Sequence, residues 1–119
     1  MRRKYKVLLA EDELAVSRLL QRYLQMIGLD VVAATNGREA LDLYRSEAPD
    51  LLVSDVDMPE MSGLQLLSSI RETDHRLPAI LVSGLGDPEE GRAQRDYRFM
   101  AKPINLADLR QEIELAVAS

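Results

Sequence analysis

Two spacings of apolar residues alternate along this chain, and that alternation limits its fold more than any single motif. Val7-Leu8-Leu9-Ala10 is a short unbroken apolar run, the pattern of a strand buried on both faces. From Leu14 to Ile27 the spacing becomes helical. Leu20, Leu24 and Ile27 fall on one side with Val16 and Tyr23, and Gly28 supplies a stop. The change then repeats. Val31–Ala34, Leu51–Ser54, Ala79–Val82 and the less apolar Tyr97–Ala101 read as strands. Arg38–Ser46, a segment opening at Ser62 and reaching Arg71, a weakly patterned stretch from Glu89 to Arg95, and Leu106–Ala118 read as helices. Asn36-Gly37 makes a turn, Ser62 and Gln65 have the spacing of a capping box, and Asn105 stands where an N-cap is needed. Five strands alternating with five helices predict an α/β fold, a parallel sheet with helices on both faces. The 119 residues suit a single domain over 1–119, and no linker or low-complexity tract divides them.

Composition removes several classes of function. With no cysteine, there is no disulfide framework, thiolate nucleophile or cysteine-ligated zinc. Twenty acidic residues against 15 basic ones give a net charge of −5, the wrong sign for a nucleic-acid-binding module. No apolar run approaches membrane-spanning length. The basic start, Met1 to Lys6, is followed only by Val7–Ala10 before Glu11-Asp12-Glu13, which does not read as a signal peptide. A reducing, cytoplasmic setting is the expectation.

In open α/β sheets ligands bind beyond the carboxyl ends of the strands. Those ends carry chemistry here. The first strand ends in Glu11-Asp12, the third in Asp55 with Asp57 two residues on, the fourth in Ser83 and the fifth in Lys102. Each residue alone reads as a solvated loop group. Delivered together by four strands, they form a constellation. Clustered carboxylates repel unless a cation joins them, and an all-oxygen set with spare room suits Mg²⁺. A carboxylate flanked by Mg²⁺ and an ammonium group can attack phosphorus, because both cations stabilise the charge on the transferring oxygens.

Four motifs carry this set: Val7 to Glu13, Ser54-Asp55-Val56-Asp57-Met58-Pro59-Glu60-Met61-Ser62-Gly63, Leu81-Val82-Ser83-Gly84 and Ala101-Lys102-Pro103. In this order and spacing they resemble the receiver domain of two-component response regulators, the CheY-like superfamily, over essentially the whole chain. The resemblance implies a doubly wound, flavodoxin-like (βα)5 fold with strand order 2-1-3-4-5. It implies Asp55, four residues before Pro59, as phosphoacceptor. Mg²⁺ would be held by Asp12 directly, by Glu11 through water, by Asp55 and by the backbone carbonyl of Asp57. Lys102 and the Ser83 hydroxyl would meet the phosphoryl group, Pro59 and Gly63 would be structural, and the Lys102–Pro103 peptide would be cis. Phe99, three residues before Lys102, matches an aromatic switch position. Lacking a hydroxyl, it should favour an inward, apolar site; the competing reading is a plain core residue of the fifth strand.

The resemblance further implies a sensor histidine kinase or histidine phosphotransfer protein as partner. It implies a switched surface on the fourth helix, fifth strand and fifth helix, and an output domain or kinase core wherever the parent chain is longer. It implies no enzymatic activity beyond the chain's own phosphorylation and dephosphorylation. The sequence also departs from the family pattern. Glu11 stands where Asp is commoner, Asp57 adds a carboxylate at the mouth of the site, Leu85 is placed to shield a phosphoryl group, and Asp96-Tyr97-Arg98 lacks the usual small Gly-Ala pair. His75 and the arginines Arg92, Arg95 and Arg98 read as solvated, and Met58 and Met61 as loop packing. Two other functions compete. Asp55-Val56-Asp57 resembles the nucleophile motif of haloacid dehalogenase phosphatases, although there it follows the first strand. A degenerate receiver acting as a constitutive interaction module is the other.

Overall fold

The computed structural model describes residues 4–92 and 95–118. The chain runs β1 (Lys6–Ala10), α1 (Leu14–Met26), β2 (Asp30–Ala34), α2 (Gly37–Glu47), β3 (Leu51–Asp55), α3 (Gly63–Arg71), β4 (Ala79–Ser83), β5 (Arg98–Ala101) and α4 (Leu106–Ala118). The strands form one parallel sheet in the order β2-β1-β3-β4-β5, the doubly wound order expected. Every residue of β3 and β4 is buried, as their unbroken apolar runs require. The edge strands β2 and β5 are more exposed.

The two-residue period of the strands sorts their side chains to two cores. Leu8, Ala10, Leu52 and Leu81 pack with Ala40 of α2 and with Leu66, Leu67 and Ile70 of α3. Val7, Leu9, Leu51, Val53, Ile80 and Val82 pack on the other face with Leu20 and Leu24 of α1 and Leu109 and Ile113 of α4. Helices therefore cover both faces. Among the described residues no helix is long and apolar enough to cross a membrane.

Local signals place the helix ends. The Ser62 side chain accepts from Gln65 N–H while the Gln65 side chain accepts from Ser62 N–H, a complete capping box. Asn36 Oδ1 accepts from Glu39 N–H at 2.8 Å, and Asn105 Oδ1 from Asp108 N–H at 3.0 Å. Gly28, with φ at +97°, takes the left-handed backbone that stops α1.

One expected element is absent among the described residues. The helix anticipated from Glu89 to Arg95 is a turn through 88–91, while Ala93 and Gln94 lie outside the described residues. Asp87 organises that turn: its carboxylate accepts from Glu89 N–H at 3.0 Å and its carbonyl from Glu90 N–H at 3.2 Å. Gly91 then takes φ +89°. Pro88-Glu89-Glu90-Gly91-Arg92 has no apolar face to bury, and short helices depend on such burial. The fifth strand also begins at Arg98 rather than Tyr97. Tyr97 is buried with its hydroxyl donating to Asp87 Oδ1 at 2.8 Å, so it anchors the loop rather than joining the ladder.

Candidate functional site

The strand order reverses between β1 and β3, so the loops leaving their carboxyl ends diverge and open a crevice. Asp55 ends β3 beside that crevice, and Glu11 and Asp12 follow β1 directly. Two close approaches fix the floor. A Cβ on Gly63 would lie 2.3 Å from the Asp55 carbonyl oxygen, and one on Gly37 would lie 2.3 Å from that of Met61. The loop between β3 and α3 is tied by Gly63 N–H donating to the Val56 carbonyl at 2.8 Å and Met61 N–H to that of Pro59 at 2.7 Å. Glu60 takes φ +67° between them.

Glu11 is 2% exposed and Asp55 6%, whereas Asp12 faces solvent. One carboxylate oxygen from each of the three lies within 4.8 Å of the others. Lys102, just past β5, bridges the group. Its Nζ is 3.0 Å from Asp55 Oδ2, 3.3 Å from Glu11 Oε1 and 3.8 Å from Glu13 Oε1. The second oxygen of Glu11 accepts from Glu13 N–H at 3.0 Å. Burial pushes Asp55 up to about 6, with the charges of Glu11 and Asp12 adding and Lys102 opposing. Burial works to lower Lys102, yet the Asp55 hydrogen bond and the carboxylates around it leave its ammonium above its ordinary value.

Ser83, at the end of β4, is 1% exposed. Its hydroxyl donates to Asp57 Oδ2 and accepts from Leu85 N–H, both at 3.0 Å. Lys102 N–H donates to the Ser83 carbonyl at 3.0 Å, which joins the two strand ends. The Lys102–Pro103 peptide is cis. Phe99 is half-buried against the core beneath α2 and α3, as are Met58 and Met61. Leu85 is 87% exposed, so it does not pack over the pocket in this state. His75 is exposed, and Arg92, Arg95 and Arg98 pair with Glu89, Asp87 and Glu112.

The structure thus gathers Glu11, Asp12, Asp55 and Lys102 at one point, with Ser83 and Asp57 joined to each other beside it. Two contributors carried sequence signals to which no role was attached. Glu13 is the third acid of a run and reaches Lys102. Ser54 is a fully buried hydroxyl inside an apolar strand; it donates to the Asp55 carbonyl at 2.9 Å and so steadies the backbone at that residue. The donor set fits a small hard cation. It is all oxygen, two of its carboxylates are buried together, and Asp12 faces the solvent where waters complete a shell.

Residues 7–114 match the family model described as "Response regulator receiver domain". The chain is 41% identical over 116 residues, 95% of its length, to a protein of Galdieria sulphuraria named "Probable transcriptional regulator ycf27", of which the match covers 45%. It spans less than half the length of that relative. It is 34% identical over 113 residues to the "Response regulator receiver protein CpdR" of Brucella abortus, covering 92% of this chain and 93% of that one. Among solved structures, the chemotaxis protein CheY4 of Vibrio cholerae superposes with a TM-score of 0.87 at 28% identity, over 96% of this chain and 99% of that one.

Proposed function

The chain belongs to the response regulator receiver domain family, which is not a family of conventional enzymes, and from that premise we propose that residues 1–119 act as one phosphoacceptor domain whose acceptor is Asp55. The observation that carries this is the contact of Lys102 Nζ with Asp55 Oδ2 at 3.0 Å, inside a buried carboxylate cluster at the carboxyl edge of the sheet. A sensor histidine kinase or a histidine phosphotransfer protein supplies the phosphoryl group. An Asp55 oxygen forms the new O–P bond as the N–P bond of the donor's phosphohistidine breaks, and the departing imidazole nitrogen takes a proton from solvent. Lys102 holds the carboxylate before transfer and pairs with a phosphoryl oxygen after it. Glu11, Asp12, Asp55 and the backbone carbonyl of Asp57 are the groups that would hold Mg²⁺, whose chemistry there is neutralisation of the phosphoryl oxygens. Gly63 and Pro59 keep the β3–α3 loop close under Asp55, and the Pro103 turn sets Lys102.

The acyl phosphate then shifts the population between two surface states. Ser83 and Phe99 are the responding side chains. The output surface is β5 with α4, together with the turn through 88–91 that stands where a further helix was expected. Contact with nucleic acid falls outside these residues, because they carry net charge −5. The domain works in the cytoplasm, where such kinases present their phosphohistidine. Incubation with acetyl phosphate and Mg²⁺, followed by intact-mass analysis, tests the assignment. One phosphoryl increment is expected on the wild type and none on Asp55→Asn; an equal increment on both would reject Asp55 as acceptor.

A further inference from the structure

Ser83 directs its proton away from the residue it is meant to serve. Its hydroxyl is 1% exposed, donates to Asp57 Oδ2 and accepts from Leu85 N–H. A serine has one hydroxyl proton, so donation to Asp57 and donation to a phosphoryl oxygen exclude each other. The acceptor is a carboxylate, which makes the bond stronger than one between neutral partners. The loop that presents it is itself pinned, through Val56–Gly63 and Pro59–Met61 hydrogen bonds, so Asp57 is held two residues from Asp55 and against Ser83.

We propose that the Asp57 side chain is a positioning residue, a latch that holds the Ser83 loop in its resting form and sets how strongly a phosphoryl group must compete to release it. The inference rests on Asp55 being the acceptor. In the latched form, Asp57 fixes the Ser83 hydroxyl and Ser83 in turn fixes Leu85 N–H, so the turn at 83–85 has a single arrangement. In the released form, the hydroxyl turns to a phosphoryl oxygen. Asp57 then returns to water at little cost, because it is an exposed residue and no buried charge is left unpaired. The device belongs to the side chain alone. The backbone carbonyl of the same residue, which faces the cation in the proposed function, is untouched by substitution.

The test is backbone NMR of the full chain, with beryllofluoride and Mg²⁺ as the phosphoryl stand-in, on wild type, Asp57→Ala, Asp57→Asn, Ser83→Ala and the Asp57→Ala/Ser83→Ala double variant. Without ligand, Asp57→Ala should move the Ser83, Gly84 and Leu85 amide signals toward their beryllofluoride-bound positions. Asp57→Asn, which keeps an acceptor oxygen, should move them less. Beryllofluoride affinity should rise roughly ten- to a hundredfold in Asp57→Ala, the scale of one hydrogen bond to a charged group. In the Ser83→Ala background the Asp57 substitution should change neither quantity, since coupling between two contacting residues vanishes when one is already removed. An affinity gain of the same size in both backgrounds would overturn the latch, because the effect would then be simple charge repulsion. Unmoved loop signals in ligand-free Asp57→Ala would overturn it as well. Failure of the wild type to bind beryllofluoride would reject the Asp55 assignment and the latch with it, whereas binding with unmoved ligand-free signals rejects the latch alone.

Discussion

At Asp55 a carboxylate only 6% exposed sits beside Glu11 at 2%, and burial pushes its pKa up to about 6. The folded state therefore holds the Asp55 proton more tightly than the unfolded state, where an aspartate titrates near 4. By linkage, stability falls as pH rises from about 4 to about 6, and the penalty is complete at neutral pH. Asp55→Asn removes it. Without divalent metal, urea unfolding at pH 7 should show the variant more stable by about 1–3 kcal/mol, the upper figure being two pKa units and the lower allowing for the weakened Lys102 bond. Near pH 4 the gain should disappear; a gain independent of pH would mean that charge is not its source. Gly63 behaves in the opposite sense. Its missing Cβ leaves room for the Asp55 carbonyl oxygen, which such a Cβ would meet at 2.3 Å. Backbone lies on both sides of that contact, so neither can rotate away. Gly63→Ala should cost about 2–4 kcal/mol in the same assay and slow labelling of Asp55.

Elements whose ends are written in adjacent residues were legible in the sequence. The Ser62/Gln65 capping box, the Asn105 cap and the Gly28 stop each act through bonds three or four residues long, and each occurs where expected, while Asn36, read as part of a turn, also caps α2. The buried strands were legible because one period, an unbroken apolar run, has one burial consequence. Over the described residues of the stretch from Glu89 to Arg95 a weak pattern suggested a helix, but Asp87 and Gly91 make a turn at 88–91, and the residues beyond it are held from outside the stretch. Asp87 holds Tyr97 and Arg95, and Arg71 of α3 holds Asp96 at 2.7 Å. Likewise the converging carboxylates were visible as strand-end residues, but the Ser83–Asp57 bond joins the end of β4 to the loop after β3, 26 residues apart, and no local pattern encodes it. The face of α1 has its own consequence. A groove of about 410 Å³ is lined by Val16, Leu19 and Leu20 of α1, by Ile104 and Leu106, and by Glu13 and Lys102 of the site. Leu19 is 56% exposed there. An apolar surface that includes residues of the proposed phosphoacceptor site suits the docking of a protein donor. Leu19→Glu should lower the rate of transfer from a phosphorylated kinase domain by tenfold or more, about the 1.4 kcal/mol expected of one apolar anchor. Labelling by acetyl phosphate should be unchanged; equal loss with both donors would place the defect in the site itself.

The whole molecule has two hydrophobic cores, one on each face of the sheet, and β1 and β3 are buried in both. Glu11, Asp12 and Asp55 stand where those two strands end, so the cluster exists only when both cores are assembled. A cation that needs all three carboxylates then binds the folded chain and not the unfolded one, and its binding free energy adds to stability. At a metal concentration about 100 times the dissociation constant the gain is about 2.7 kcal/mol. Mg²⁺ should accordingly raise the midpoint of thermal unfolding of this chain at pH 7 in a saturable way. The net charge of −5 supplies a second route to the same direction of change, because any salt screens self-repulsion. The two routes separate by stoichiometry and by residue. Sodium chloride at matched ionic strength should give a small, non-saturating rise, and Asp12→Asn should reduce the Mg²⁺ response to that level. The response should also weaken below about pH 6, where protonation of Asp55 removes one of the three charges. A saturable gain that survives Asp12→Asn at full size would place the cation elsewhere on the acidic surface and leave the cluster as a set of charges held by Lys102 alone.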